Sequence, residues 1–388
     1  MRARNSFNSV NLFNALHAFT PLTLPALLCA LLCSQTIARA APPGTVVGWG
    51  WNAYGQTTPP DGLTNAAAIA AGAFHSLALR SDGTVAGWGS NADGEATPPD
   101  GLTNVAAIAA AQYHSLALKH DGTIVGWGNN SYGETTPPPG LSNVVAIAAG
   151  AYYSLALKGD GTVAGWGYNY YCQATPPVGL TNVVAIAAGY SDSLALTSDG
   201  TVVGWGDNRD GEATPPAGLT NVVAIAAGYY HSLALKHDGT VVGWGYNYWG
   251  QATPPVGLTN VLAIAAGYLH SLALKPDATV AAWGYGAFGQ TNVPTGLGSV
   301  AAIAAGYYHS LALVGAQSAP PTLAISMSGG LTVLSWPTNA AGYTLQTTPS
   351  LTSPAWQAVT NAPVIVSDRY VLTNAWPAPA GFFRLRQL

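Results

Sequence analysis

One aromatic residue recurs at a fixed step of 39 positions, at Trp49, Trp88, Trp127, Trp166, Trp205, Trp244 and Trp283, and each copy is followed by Gly. A Ser-Leu pair keeps the same step at Ser76-Leu77, Ser115-Leu116, Ser154-Leu155, Ser193-Leu194, Ser232-Leu233, Ser271-Leu272 and Ser310-Leu311. A fixed period of this length marks a repeat architecture, in which each unit buries its apolar face only against its neighbours.

A single unit shows what is repeated. It runs from Val183-Val184-Ala185-Ile186-Ala187-Ala188 through Ser193-Leu194-Ala195-Leu196 and Asp199-Gly200 to Thr201-Val202-Val203-Gly204-Trp205. Short apolar and β-branched runs on either side of Asp-Gly predict a hairpin with a type I′ turn. A shorter fourth strand is predicted around Glu212 to Thr214, stopped by Pro215-Pro216. Each unit therefore reads as a four-stranded antiparallel meander. Helices of normal length do not fit, because the alanine runs are short and bounded by Gly and Pro. Seven such units fit an all-β, seven-bladed β-propeller. Residues 44–49 supply only a last strand, Gly44-Thr45-Val46-Val47-Gly48-Trp49. The final unit stops after Leu311-Ala312-Leu313 without its Asp-Gly hairpin. The two fragments complement one another, which predicts a ring over 41–315 closed by a blade split between both ends of the repeat.

The flanks differ in kind. Arg2 and Arg4, an apolar stretch from Leu22 to Cys33 and the triplet Ala38-Arg39-Ala40 read as a secretory signal peptide, residues 1–40, cleaved after Ala40. Its apolar core is shorter than the roughly 20 residues of a membrane-spanning helix, and Leu32 is too bulky for a lipoprotein signal. A secreted or cell-surface protein without a membrane span is expected. Cleavage leaves Cys172 as the single cysteine, so stability rests on packing rather than disulfides. Cys172 stands where the other repeats have Gly55, Gly94, Gly133, Gly211, Gly250 and Gly289, and reads as a loop glycine that has drifted. Residues 316–388 leave the repeat. Alternating segments at Leu331 to Trp336, Tyr343 to Gln346 and Phe382 to Arg386 predict a small C-terminal β-sandwich.

A meander places its first and third connections on one face of the disc and the second and fourth on the other. On the second face, the Asp-Gly turns and the Pro-rich linkers barely change between repeats, as a scaffold would not. On the first face the repeats differ. Its first connection presents Phe74, Tyr113, Tyr152, Ser191, Tyr230, Leu269 and Tyr308. Its third adds Trp51, Tyr54, Tyr132, Tyr168, Tyr170, Tyr171, Tyr246, Tyr248, Trp249, Tyr285 and Phe288, among Asp93, Asp207, Arg209 and Asp210. Aromatic anchors with a few charges are the composition of binding hot spots. The partner-binding residues predicted here are Phe74, Tyr113, Tyr152, Tyr230, Tyr308, Trp51, Tyr132, Tyr170, Tyr171, Tyr248, Trp249, Phe288 and Arg209. Packing in the funnel of the ring is an equal alternative for the first-connection aromatics.

The remaining polar pattern reads as structure. His75, His114, His231, His270 and His309 share one position, with Tyr153 and Asp192 in the other two repeats. Being on different blades they are placed for inter-blade hydrogen bonds rather than a shared metal. The turn aspartates are explained by turn chemistry. No nucleophile elbow, phosphate loop or metalloprotease motif occurs, so no catalytic residue, metal or cofactor is predicted. From Gly44 to Gly315 there are 15 acidic against 6 basic side chains, a net charge of −9, which argues against nucleic-acid binding.

The repeat Ala-Ala-Gly-x-x-His-Ser-Leu-Ala-Leu-x-x-Asp-Gly-Thr-Val-x-Gly-Trp-Gly-x-Asn-x-x-Gly-Gln resembles the RCC1 repeat and is met seven times over about 270 residues. The short units and endings such as Gly55-Gln56-Thr57-Thr58-Pro59 are most similar to a secreted bacterial branch that includes a β-lactamase-inhibitory propeller of streptomycetes. That resemblance implies a monomeric, non-enzymatic protein binder. It places partner contacts at Phe74, Tyr113, Tyr152 and Tyr230, with a β-lactamase or penicillin-binding protein as the implied target; Ser191 and Leu269 depart from the aromatic pattern. A glycan-binding or adhesive module is the alternative, since exposed Trp and Tyr also stack on sugars. Guanine-nucleotide exchange follows only from the family name, and the units have no room for the insertion it uses. The C-terminal stretch resembles a module of secreted verrucomicrobial and planctomycete proteins.

Overall fold

The computed structural model describes residues 44–315 and, in the C-terminal part, the strand segments between 324 and 387. The signal-peptide reading falls outside the described residues. The chain divides into two compact units, Met1–Ala316 and Gln317–Leu388.

The repeat region forms seven three-stranded antiparallel sheets. In one of them Val183–Ala188, Asp192–Thr197 and Val202–Gly206 follow each other as a meander. Six blades are continuous in sequence. The seventh joins Val300–Ala305 and His309–Val314 to Thr45–Gly50, with Trp49 opposite Ser310 and Gly48 opposite Leu311. The ring is therefore closed by a split blade, as the sequence predicts.

The core lies between blades. Leu194, Leu196 and Val202 of one blade pack against Val222, Ile225, Ala234 and Trp244 of the next, all buried. The same arrangement recurs at the other junctions, for instance Leu116 and Leu118 against Val144, Ile147, Ala156 and Trp166. Each repeat thus completes its neighbour rather than itself.

Two local expectations are corrected. The predicted fourth strand at Glu212 to Thr214 is a pair of turns: the Thr214 amide donates to the Gly211 carbonyl (3.0 Å) and the Ala213 amide to Asn208 Oδ1 (3.0 Å). The segment lies against the third strand without a ladder, and so closely that a Cβ added to Gly204 would fall 2.2 Å from the Ala213 oxygen. The Asp-Gly hairpins are not type I′. In Lys236-His237-Asp238-Gly239 the Gly239 amide donates to the Lys236 carbonyl (2.9 Å), and only Gly239 has positive φ (78°). That is a three-residue loop, a type I turn followed by a left-handed residue.

The left-handed positions identify two substitutions that strain the chain. Ala278 (φ 60°) replaces the turn glycine, and the exposed Cys172 (φ 63°) replaces the loop glycine found at φ 78–85° elsewhere. Left-handed backbone is costly for a residue with a Cβ.

The C-terminal unit contains two antiparallel sheets, one of four strands centred on Leu331–Pro337 and Arg369–Asn374, the other of three centred on Tyr343–Thr348. Leu334, Leu345 and Leu372 are buried.

Ala278→Gly and Cys172→Gly are each expected to raise stability by about 0.5–1 kcal/mol, measured by denaturant unfolding of the single variants.

Candidate functional site

The blades are joined by one repeated polar device. At each junction a buried backbone carbonyl accepts two hydrogen bonds from the next blade. The Glu134 carbonyl takes Ser154 Oγ (2.8 Å) and Trp166 Nε1 (2.8 Å). The carbonyls of Gln56, Glu95, Gln173, Glu212, Gln251 and Gln290 do the same for the other six blades. Five of the seven serines also meet the histidine of the preceding blade: His75–Ser115 2.8 Å, His114–Ser154 3.0 Å, His231–Ser271 2.8 Å, His270–Ser310 2.9 Å and His309–Ser76 3.0 Å. The serine proton is committed to the carbonyl, so imidazole Nε2–H is the donor and Nδ1 is left bare. Burial holds all five histidines neutral, lowering their pKa from 6.5 to about 3. The histidines are structural inter-blade links.

The belt departs from this pattern in two blades. Tyr153 reaches across with its hydroxyl to Ser193 Oγ (2.9 Å) and to the Asp192 carbonyl. Asp192 is too short to reach Ser232, and neither carboxyl oxygen has a partner among the described residues. Burial, with Glu212 and Asp207 nearby, raises its pKa well above the carboxylate range.

The first and third connections do share one face, because their rings touch. Trp51 meets Phe74 (5.6 Å between centroids), Tyr54 (5.3 Å) and Tyr308 (6.3 Å), and Phe288 meets Tyr308 (4.6 Å). Two arcs result. One runs Tyr248, Trp249, Tyr285, Phe288, Tyr308, Trp51, Phe74. The other runs Tyr113, Tyr152, Tyr132, Tyr168, Tyr170, Tyr171 and ends under the guanidinium of Arg209, 5.0 Å from the Tyr171 ring.

The predicted site residues divide by exposure. Phe74, Tyr113, Tyr152, Tyr230, Tyr308, Trp51 and Tyr171 are half-buried. Burial raises the Tyr152 hydroxyl pKa and lifts that of Tyr230 to about 12. The rings that project are Tyr170 (76% exposed), Tyr248 (75%), Tyr132 (53%), Trp249 (46%) and Phe288 (43%), joined by Tyr54 (55%). Arg209 is exposed but engaged, its Nε donating to both oxygens of the buried Asp207 at 3.0 Å. Asp207 is therefore not a free contact.

Inside the arcs lies a group that the sequence reading passed over: Tyr190, Tyr229, Tyr268 and Tyr307. Tyr268 stacks on Tyr307 at 3.8 Å, and Tyr229 meets both, at 5.3 and 5.0 Å. Tyr229 also lines the narrow axial cavity with Ala71, Gly72, Ala110 and Gly189. The packing role thus falls mainly on this column. Its signal was one Tyr in four successive repeats, where the earlier ones have Ala73, Gln112 and Ala151.

A closed, seven-bladed propeller with a recurring belt and a variable aromatic face defines a scaffold that displays loops. Six segments, 66–95, 105–134, 144–173, 183–212, 222–251 and 261–290, match the family model described as regulator of chromosome condensation (RCC1) repeat, so the ring is built of RCC1 repeats. The split seventh unit has no contiguous 30-residue copy to match. Prp20p from Saccharomyces cerevisiae is similar in structure at a TM-score of 0.60 and 22% identity, covering 71% of this chain and 93% of its own. Human WBSCR16 gives 0.57 at 20% identity over 70% and 100%. The ectodomain of the Arabidopsis thaliana receptor kinase ACR4 gives 0.55 at 22% over 66% and 96%. At these identities the likeness is one of fold. No curated protein matches the chain in sequence.

The belt carries two predictions. The unfolded chain protonates its histidines near pH 6.5, whereas the folded one resists down to about 3. Stability is therefore full above 6.5 and falls as pH drops toward 3, by about 1.4 kcal/mol per pH unit per histidine once the unfolded side chain is charged; chemical unfolding from pH 7 to 4.5 checks this. Asp192 has the opposite sign, since its raised pKa makes the carboxyl most stabilising in acid and a burden at neutral pH. Asp192→His, which supplies the missing bond to Ser232, is expected to stabilise at pH 7 by about 1–3 kcal/mol in the same assay.

Proposed function

We propose that this protein is a non-enzymatic binding platform that grips another protein with its aromatic face. The observation that carries this reading is that Tyr54, Tyr132, Tyr170, Tyr248, Trp249 and Phe288 project from one face, whereas the Trp and Ser side chains of the belt beneath them are buried and hydrogen-bonded between blades. Contiguous exposed aromatics on a rigid support have the composition and geometry of an interaction site. The other face supports no such reading: its Asp-Gly turns are closed on themselves, as in Thr162 Oγ1 donating to Asp160 Oδ1 (2.6 Å), and each turn lysine pairs with its own aspartate.

Propellers of this repeat type bind proteins elsewhere, Prp20p having been studied for its binding to Gsp1p and histones. The finer reading is a secreted inhibitor of a β-lactamase or penicillin-binding protein. It is supported by the resemblance of the short repeats to the secreted bacterial branch and by the signal-like residues 1–40. Binding to a panel of purified enzymes of both classes, with inhibition assayed in parallel, tests it; no complex at micromolar concentration with any of them removes this target.

Tyr170→Ala and Tyr248→Ala are expected to weaken binding of the cognate protein by tenfold or more and to leave the melting temperature nearly unchanged. Trp166→Ala, at a buried junction, is expected to cost about 3–5 kcal/mol of stability. Equal destabilisation by all three would show that the loop rings are packing.

A further inference from the structure

The charges of the ring are sorted by face and then by blade. Lys119, Lys158, Lys236 and Lys275 all stand on the turn face beside aspartates, at 2.9–3.5 Å. On the aromatic face Arg209 is the single cation in the connecting loops, and Asp207 neutralises it. Around that face the third-connection loops of three adjacent blades, 246–251, 285–290 and 51–56, contain no charged side chain. Of the other four, the loops 90–95, 129–134 and 207–212 contain Asp93, Glu95, Glu134, Asp207, Asp210 and Glu212, and 168–173, which lies between the last two, is uncharged.

The buried glutamates are not needed for the fold. Glu95, Glu134 and Glu212 accept the amide two residues earlier, at 2.8, 2.8 and 2.9 Å. In the other four blades the neutral Gln56, Gln173, Gln251 and Gln290 do the same through Oε1, at 2.9–3.1 Å. At Glu134 and Glu212 a carboxylate adds desolvation cost without adding a bond, and at Glu95 it adds one, accepted from Ser90 Oγ at 2.8 Å. Glu134 Oε1 has no partner among the described residues although the side chain is wholly buried. No cation among the described residues pairs with Asp93 or Asp210 either. The protein therefore carries a local negative field that it does not itself balance.

We propose that the aromatic face is bipartite and fits a protein surface in which an apolar patch adjoins a basic one. The apolar patch sits on the uncharged arc around Trp249, Phe288 and Trp51, and the lysines or arginines lie over Asp93, Glu134 and Asp210. Charge complementarity of this kind fixes orientation and accelerates encounter. This inference rests on the aromatic face being the binding face.

The test uses the full chain and three soluble probes of equal length: a peptide with an apolar half and a Lys/Arg half, its counterpart with Glu in place of the basic residues, and chitohexaose. The basic peptide is expected to bind, at least tenfold more tightly than the acidic one, and to lose tenfold or more in the variant carrying Asp93→Asn, Glu95→Gln, Glu134→Gln, Asp210→Asn and Glu212→Gln. Because Gln caps the same turns in other blades, Glu134→Gln alone is expected to fold with an unchanged or higher melting temperature. Equal binding of both peptides, or binding unaffected in the neutralised variant but abolished by Tyr248→Ala with Trp249→Ala, overturns the basic partner and leaves the aromatic face standing. Binding of the basic peptide that survives Tyr248→Ala with Trp249→Ala, or binding of chitohexaose alone, overturns both readings. Binding of no probe also overturns the bipartite assignment.

Discussion

Everything in the ring hangs on a backbone carbonyl that receives the Ser hydroxyl and the Trp indole of the next blade. Left unmet in the interior, such a carbonyl costs about 1–3 kcal/mol, and here it is met twice at every junction. Each bond ties two blades, so no repeat is stable without its neighbours and the series must close on itself. The split blade follows from this: Gln290 O accepts from Ser310 and from Trp49, residues at opposite ends of the repeat. The tryptophans do not vary because each fills an apolar junction with its ring while its N–H reaches the carbonyl.

Much of this could be read before the fold was known. The Trp and Ser ladders set the number of blades, the truncated end units gave the closure, and the histidines on different blades pointed to cross-blade bonding. The missed fourth strand has a plain cause. Asn208 takes over its hydrogen bonds, Oδ1 accepting from Ala213 and Nδ2 donating to Thr214 (2.8 Å), so a segment with strand-like composition turns instead of pairing. The I′ turn failed because Asp-Gly is compatible with two hairpin geometries, and the backbone places only the glycine in the left-handed region.

The face was legible as a comparison among repeats, though its depth was not. Nothing in the order of residues says that Asp207 is buried under Arg209, or that Tyr229, Tyr268 and Tyr307 meet over the axis while Tyr170 and Tyr248 project. Those distinctions depend on curvature, which brings equivalent residues of different blades together near the axis and spreads them at the rim. The outcome is a division of labour. Repetition builds a frame tied by the same Ser and Trp hydrogen bonds at every junction, and the freedom to vary is left to one set of loops.

That division is tested most directly by hydroxyl-radical footprinting of the protein alone and in complex with its cognate partner. The account predicts protection of Tyr132, Tyr170, Tyr248, Trp249 and Phe288, with the Asp-Gly turns and Pro-rich linkers labelled as before. Protection confined to the turn face, with those aromatic rings as reactive as in the free protein, would contradict it.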